Sequence, residues 1–189
     1  MKSNFKFFKK ERLLPVDKFF LNVLYDKKNG YYATKLPLGE KSDFITAPKI
    51  SNLFSEIIAI WIISAWETLG KPKNLNIIEL GPGDGSLTKV LLKVFEQFPE
   101  FNDAKKIYLY EVSDFLKNLQ KKNIRNNKVK WIKTFKSINN SPAIFFGNEF
   151  FDAIPIKQFK YEKGILFEKY YKFNKNKKIE EIFKKTSKK

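Results

Sequence analysis

LNIIELGPGDGS, residues 75–86, is the stretch whose reading decides the fold. Leu75 to Leu80 is a short apolar run of strand length, broken only by Asn76 and Glu79. Gly81, Gly83 and Gly85 follow at every second position. From Ser86 the rhythm turns helical, with Leu87, Val90, Leu91, Val94 and Phe98 expected on one face. Strand, glycine turn and helix in that order open a βαβ unit. In an open parallel sheet, ligands bind beyond the carboxyl ends of the strands, where glycines admit close backbone approach and a helix start offers N–H groups.

Two cofactor classes suit such a turn. A dinucleotide fingerprint needs G-x-G-x-x-G/A, but here the spacing is G-x-G-x-G with Ser86 next. Glu79 would also repel a pyrophosphate. S-adenosylmethionine carries a sulfonium and an α-ammonium, and both cations favour an acid at that point. A tight turn bearing a solvated glutamate is the plainer alternative. A second acid, Glu111, ends the run KIYLYEV (106–112), where a ribose-binding carboxylate is expected.

The same alternation continues outward. The pattern predicts helices over SDFLKNLQKKN (113–123), and strands over KVKWIK (128–133) and PAIFFG (142–147). Strands alternating with helices imply right-handed crossovers and a parallel α/β sheet. The extra length between Gly85 and Glu111 is assigned to a loop around PEFND (99–103). The fourth strand runs into NEFFDAIP (148–155), so Asn148, Glu149 and Asp152 stand at its tip. There they could position a nucleophilic nitrogen, since transfer of a methyl group needs mainly alignment. A turn cap before Pro155 is the plainer reading.

Upstream, VDKFFLNVLY (16–25) predicts a helix, and residues 51–69 predict a buried one through Leu53, Phe54, Ile57, Ile58, Trp61, Ile62 and Ala65. GYYATKLPLGEKSDFITAPK (30–49) reads as an ordered loop. Downstream, residues 156–173 alternate around Lys163-Gly164 as a hairpin, and the last dozen residues read as a frayed basic tail. Three segments result: 1–72 with helices and a covering loop, 73–156 as the cofactor-binding core, and 157–189 as hairpin and tail.

Composition removes several chemistries. The 189 residues include no cysteine and no histidine, which excludes disulfides, thiolate or imidazole metal ligation and Ser-His-Asp hydrolysis. The net charge of +17 raises an RNA-methylating alternative. Its lysines are scattered and only Arg12 and Arg125 are arginines, so a solvated basic surface is preferred and no specific nucleic acid is expected. No apolar run reaches the ~20 residues a membrane helix needs. A bacterial cytoplasm is the expected location, with the mitochondrial matrix as the alternative.

Four motifs occur in order: GYYATKLPLGEKSDFITAPKISNLF, IIELGPGDGSL, YEVSDFLKNLQ and NEFFDAIPIKQF. Together they resemble the MidA-like methyltransferase family, whose mitochondrial members act in respiratory complex I assembly. The resemblance implies a Rossmann-like class I methyltransferase fold with a helical N-terminal extension. It implies S-adenosylmethionine as cofactor and a protein arginine as acceptor, with a complex I subunit among the candidate substrates. By position, Glu79, Gly81, Pro82, Gly83 and Gly85 would line the methionine end, and Glu111 the ribose. Gly30, Tyr31, Tyr32, Asp43, Phe44, Thr46 and Pro48 match motifs that cover the cofactor, with Tyr32 and Thr46 as its direct contacts. Asn148, Glu149 and Asp152 match the acceptor side. Ser42 and Ser55 stand where the family usually has glycine. Family members are longer, so the expected fold is incomplete at the C-terminus, with an open edge that invites a homo-oligomer or a complementing C-terminal fragment. A non-catalytic assembly module that kept the fold is the competing reading.

Overall fold

The computed structural model describes residues 13–26, 28–34, 50–173 and 178–186. The described residues gather into two compact units. One draws on the two ends of the chain, up to Thr34 and from Phe151 onward; the other continues to Phe150.

The second unit holds a parallel four-stranded sheet made of β2 (Leu75–Leu80), β3 (Lys105–Tyr110), β4 (Lys130–Ile132) and β5 (Ala143–Phe146), ordered β4-β3-β2-β5. β2 is buried almost throughout because it is central and covered by helices. Ile77, Ile107 and Ile144 share one face by register. They pack against α3 (Asn52–Thr68), α4 (Ser86–Phe95), α5 (Pro99–Ala104) and α6 (Asp114–Ile124), with Trp66, Phe95 and Phe101 meeting edge to face. Such ring pairs add about 0.5–1.5 kcal/mol beyond their buried area. Ile78, Tyr108 and Ile132 form a smaller cluster on the opposite face.

Three expectations need correction here. The buried stripe of α3 is Ser55, Ala59, Ile62, Ile63 and Trp66, while Leu53, Ile57 and Trp61 are more than half exposed. The helix is apolar nearly all round, so periodicity does not select the face that meets the sheet. On α4 the buried set is Leu87, Thr88, Leu91, Leu92 and Phe95, and Phe98 lies past the helix end. The PEFND stretch is not a loop: it starts α5, where Pro99 occupies the first helical turn, a position that needs no N–H.

In the first unit, β7 (Ile165–Phe173) is the spine of an antiparallel sheet. It pairs with β8 (Ile179–Lys185) on one edge, and with β6 (Phe159–Glu162) and then β1 (Leu13–Pro15) along the other. The hairpin turns at Lys163-Gly164 as the sequence suggests; both residues have positive φ. The tail expected to fray instead forms β8 over residues 179–185. Its charges meet opposite ones on β7, with Glu181 2.6 Å from the Lys169 ammonium, Glu180 opposite Lys172, and Lys184 opposite Glu168. α1 (Val16–Tyr25) lays Phe19, Phe20 and Val23 against Leu14, Tyr171 and Phe173. A one-turn helix, α2, spans Tyr31–Thr34. No helix among the described residues is long and apolar enough to cross a membrane.

Candidate cofactor site

The site begins with the way β2 stops. Gly81, Gly83 and Gly85 have φ of 62°, 58° and 82°, in the left-handed region that side chains resist. The Gly81 N–H still donates to the Tyr110 carbonyl at 3.1 Å, and the Gly85 N–H closes the turn on the Pro82 carbonyl at 2.8 Å. α4 then starts with Gly85 as its cap residue, and the Asp84 carboxylate accepts from the Ser86 N–H at 3.1 Å.

Glu79 points to the helix-covered face, in step with Ile77. It is buried, and Thr88 on α4 donates its hydroxyl to it. Burial pushes its carboxyl up to about 7; the Thr88 hydrogen bond works against that, and the nearby Asp84 adds to it.

Glu111 follows β3 on the same face as Leu109, the residue paired with Glu79. Ideal strand spacing sets the two acidic Cα atoms roughly 8 Å apart on the diagonal. The Glu111 carboxylate accepts from the Ser113 N–H at 2.7 Å and from the Gln120 amide at 3.1 Å. Burial raises its pKa, opposed by those two donors, the Val112 N–H and Lys133. Gln120 also donates to the Gly83 carbonyl at 2.8 Å, and Asn123 donates to the Asp84 carbonyl at 2.9 Å. α6 thus holds both the glycine turn and the second acid.

The tip of β5 folds onto the end of β2. A Cβ on Gly147 would lie 2.9 Å from the Leu80 carbonyl oxygen, and one on Gly81 would lie 2.7 Å from the Phe150 ring. Asn148 and Glu149 are therefore carried beside the glycine turn. Glu149 is exposed and adopts a φ of 54°; a bulky residue held there is a mark of local strain, which gathers at functional sites. Among the described residues neither side chain is hydrogen-bonded.

Asp152 and Tyr32 belong to the other unit. Burial, and after it the charge of Asp152, push the Tyr32 hydroxyl above its ordinary range. The Tyr32 ring lies 5.4 Å from that of Tyr25, whose hydroxyl donates to the Ala153 carbonyl at 2.9 Å. Asp43, Phe44, Thr46 and Pro48 lie outside the described residues.

Sequence reasoning missed Thr88, Gln120, Asn123 and Phe150. Helical spacing carries a signal for Thr88 and Gln120: each is a polar residue on an otherwise apolar face, in phase with Leu91 and Leu116 respectively.

A parallel sheet whose first strand ends in an acid and a glycine turn, with a second acid one strand over, defines a Rossmann-like nucleotide-binding methyltransferase fold. The residues fit S-adenosylmethionine: a cation would relieve the buried carboxyl of Glu79, and Glu111 presents an acceptor pair suited to a diol. The chain belongs to the family of S-adenosyl-L-methionine-dependent methyltransferases, whose model matches residues 57–189.

Among curated relatives it is similar to the mitochondrial protein arginine methyltransferase NDUFAF7 of Xenopus laevis, 33% identical over 167 residues, which are 76% of this chain and 38% of that one. The human protein of that name is 31% identical over 171 residues, 78% of this chain and 39% of the other. The chain thus spans about two fifths of the length of the curated relatives it matches. A crystal structure of a COG1565 superfamily member from Burkholderia thailandensis, bound to S-adenosyl-homocysteine, superposes with a TM-score of 0.78 over 97% of this chain and 49% of that one. At 20% identity it supports the fold alone.

Proposed function

We propose that this chain carries the S-adenosylmethionine-binding part of a protein arginine methyltransferase. The observation that supports the reading best is the placement of Glu79 and Glu111 on one face of the sheet, on either side of a glycine turn. Glu79 would hold the ammonium end, Gly81, Pro82, Gly83 and Gly85 would let the methionine portion lie against backbone, and Glu111 would accept from the ribose hydroxyls. Tyr32 and Thr46 are assigned to the bound molecule by the sequence resemblance alone. When bound, that cofactor supplies an electrophilic methyl group.

The chain's own part in the transfer is orientation and charge. Asn148 offers both an amide donor and a carbonyl acceptor, and Glu149 offers a carboxylate; Asp152 is assigned to the acceptor side by the sequence resemblance alone. A guanidinium stays charged and pairs with carboxylates in bidentate fashion, so Asn148 and Glu149 would align an arginine nitrogen and offset the cation as it approaches. A protein substrate follows from this reading, and a respiratory complex I subunit is the candidate that the family resemblance implies. Of the two compartments raised by the sequence, the mitochondrial one has the relatives' names behind it.

Calorimetric titration of the folded chain with S-adenosylhomocysteine tests the binding claim; absence of heat and of thermal stabilisation would remove it. Transfer of labelled methyl to arginine-bearing peptides, compared with lysine-bearing ones, tests the acceptor.

A further inference from the structure

Gln120 has no part in the reading above, yet it is fully buried between the two features that reading depends on. A buried amide must have its polar atoms matched. Here the matching leaves one solution. The Trp131 indole N–H, which can only donate, lies 2.9 Å from the Gln120 Oε1. The Nε2 faces the Gly83 carbonyl, which can only accept, at 2.8 Å, and lies 3.1 Å from the Glu111 Oε2. Rotating the amide by half a turn would set donor against donor on one side and acceptor against acceptor on the other. The indole therefore fixes the amide, and the amide fixes the carboxylate.

We infer that Gln120 is a positioning residue of the cofactor site: it ties Glu111 to the glycine turn through the Trp131-oriented amide, and so sets the carboxylate for a vicinal diol. The inference rests on the proposed cofactor reading and refines it. Glu111 is held from two directions, at Oε1 by the Ser113 N–H and at Oε2 by Gln120. Each oxygen keeps a further lone pair for a ligand hydroxyl. Without Gln120 the carboxylate could rotate about its last bond and would lose register with the turn. Two neighbours stiffen the arrangement. Asn123, nearly one turn along α6, holds the next carbonyl of the turn, that of Asp84. The Lys121 ammonium lies 5.6 Å from the centre of the Trp131 ring, a cation–π distance.

A merely structural glutamine and a positioning one differ in what they do to ligands with and without ribose hydroxyls. The test measures affinity for S-adenosylhomocysteine and for its analogue lacking both ribose hydroxyls, in the full chain and in Gln120→Met and Trp131→Phe. In the unaltered chain the hydroxyls should improve binding by about 10-fold or more, as hydrogen bonds to a charged acceptor do. Gln120→Met should bring that ratio close to one while affinity for the deoxygenated analogue stays within about two-fold. Trp131→Phe, which frees the amide without removing it, should lower the ratio about two- to five-fold. Equal weakening of both ligands, or an unchanged ratio, overturns the inference and leaves the cofactor reading standing. Failure of the unaltered folded chain to bind either ligand overturns the cofactor reading, and the inference with it. Should Gln120→Met not fold, Trp131→Phe decides: an unchanged ratio there overturns the inference.

Discussion

Thr88 donates its hydroxyl to the Glu79 carboxylate across the joint between β2 and α4, and both side chains are buried. The contact joins the first strand of the sheet to the helix behind the glycine turn. It also leaves an acid in the core with a single neutral side-chain donor, which is why its pKa stands near 7. Such a group keeps its proton to a higher pH than an exposed carboxyl does, and a cation beside it would favour the charged form.

That has a pH signature. The folded pKa of Glu79 is raised from 4.5 to about 7, so its contribution to stability is fully present below pH 4.5. It is lost as pH rises through about 7, a change on the order of 3 kcal/mol. Glu79→Gln should remove this slope. Urea denaturation of both forms should therefore show the variant gaining on the unaltered chain between pH 4.5 and 8, and a constant difference would contradict the assignment. Binding should move the other way. Affinity for S-adenosylhomocysteine should rise with pH up to about 7 and fall only at the higher pH where the ligand's own ammonium deprotonates, and Glu79→Gln should be weak throughout.

Gly81 sits under the Phe150 ring with a φ of 62°. Gly81→Ala meets both obstacles together. The left-handed backbone alone costs about 1–2 kcal/mol for a residue with a Cβ, and the ring must shift as well. We expect a drop of about 2–3 kcal/mol by denaturant melting. Truncating the ring with Phe150→Ala in the same chain should return only the steric share, so the two changes should not add. Strict additivity would mean that the ring and the turn are independent.

Much of this arrangement was legible in the sequence, and the misses share a cause. Local patterns that depend on one neighbour were read well: the glycine turn after Glu79, the acid ending β3, the Lys163-Gly164 hairpin. What failed required knowing which surface meets which. On α3, apolar residues surround the axis, so Leu53 and Trp61 looked as suited to the core as Ala59 and Ile63. β8 is rich in charge, a composition that reads as a frayed basic tail, and its order comes from antiparallel pairing with β7. Gln120 was invisible for the same reason, since its three partners come from residues 83, 111 and 131.

Ser55 offers an independent check on the core. It stands where the resembled family usually has glycine, and it is fully buried on α3 with no hydrogen-bond partner for its hydroxyl among the described residues. An unmatched buried hydroxyl costs about 1–3 kcal/mol, and serine is also the poorer helix former. Ser55→Ala should raise stability by about 1 kcal/mol in thermal or denaturant melting. A loss would mean that the hydroxyl has a partner after all.

The sharpest test of the acceptor side is Glu149. Its φ of 54° is unfavourable for any residue with a side chain, and it is exposed, with no hydrogen bond or ion pair among the described residues to offset the strain. Replacing it with glycine removes the conflict at the expense of a more flexible unfolded chain, so Glu149→Gly should stabilise the fold by about 0.5–1 kcal/mol. If the strain serves methyl transfer, the same change should lower the turnover of an arginine peptide at least ten-fold while leaving affinity for S-adenosylhomocysteine within about two-fold. Glu149→Gln keeps the backbone and separates the two contributions: loss of turnover without gain in stability assigns the effect to the charge. A glycine variant that is more stable and fully active would show that the left-handed residue belongs to the turn alone, and the acceptor role would then fall to Asn148.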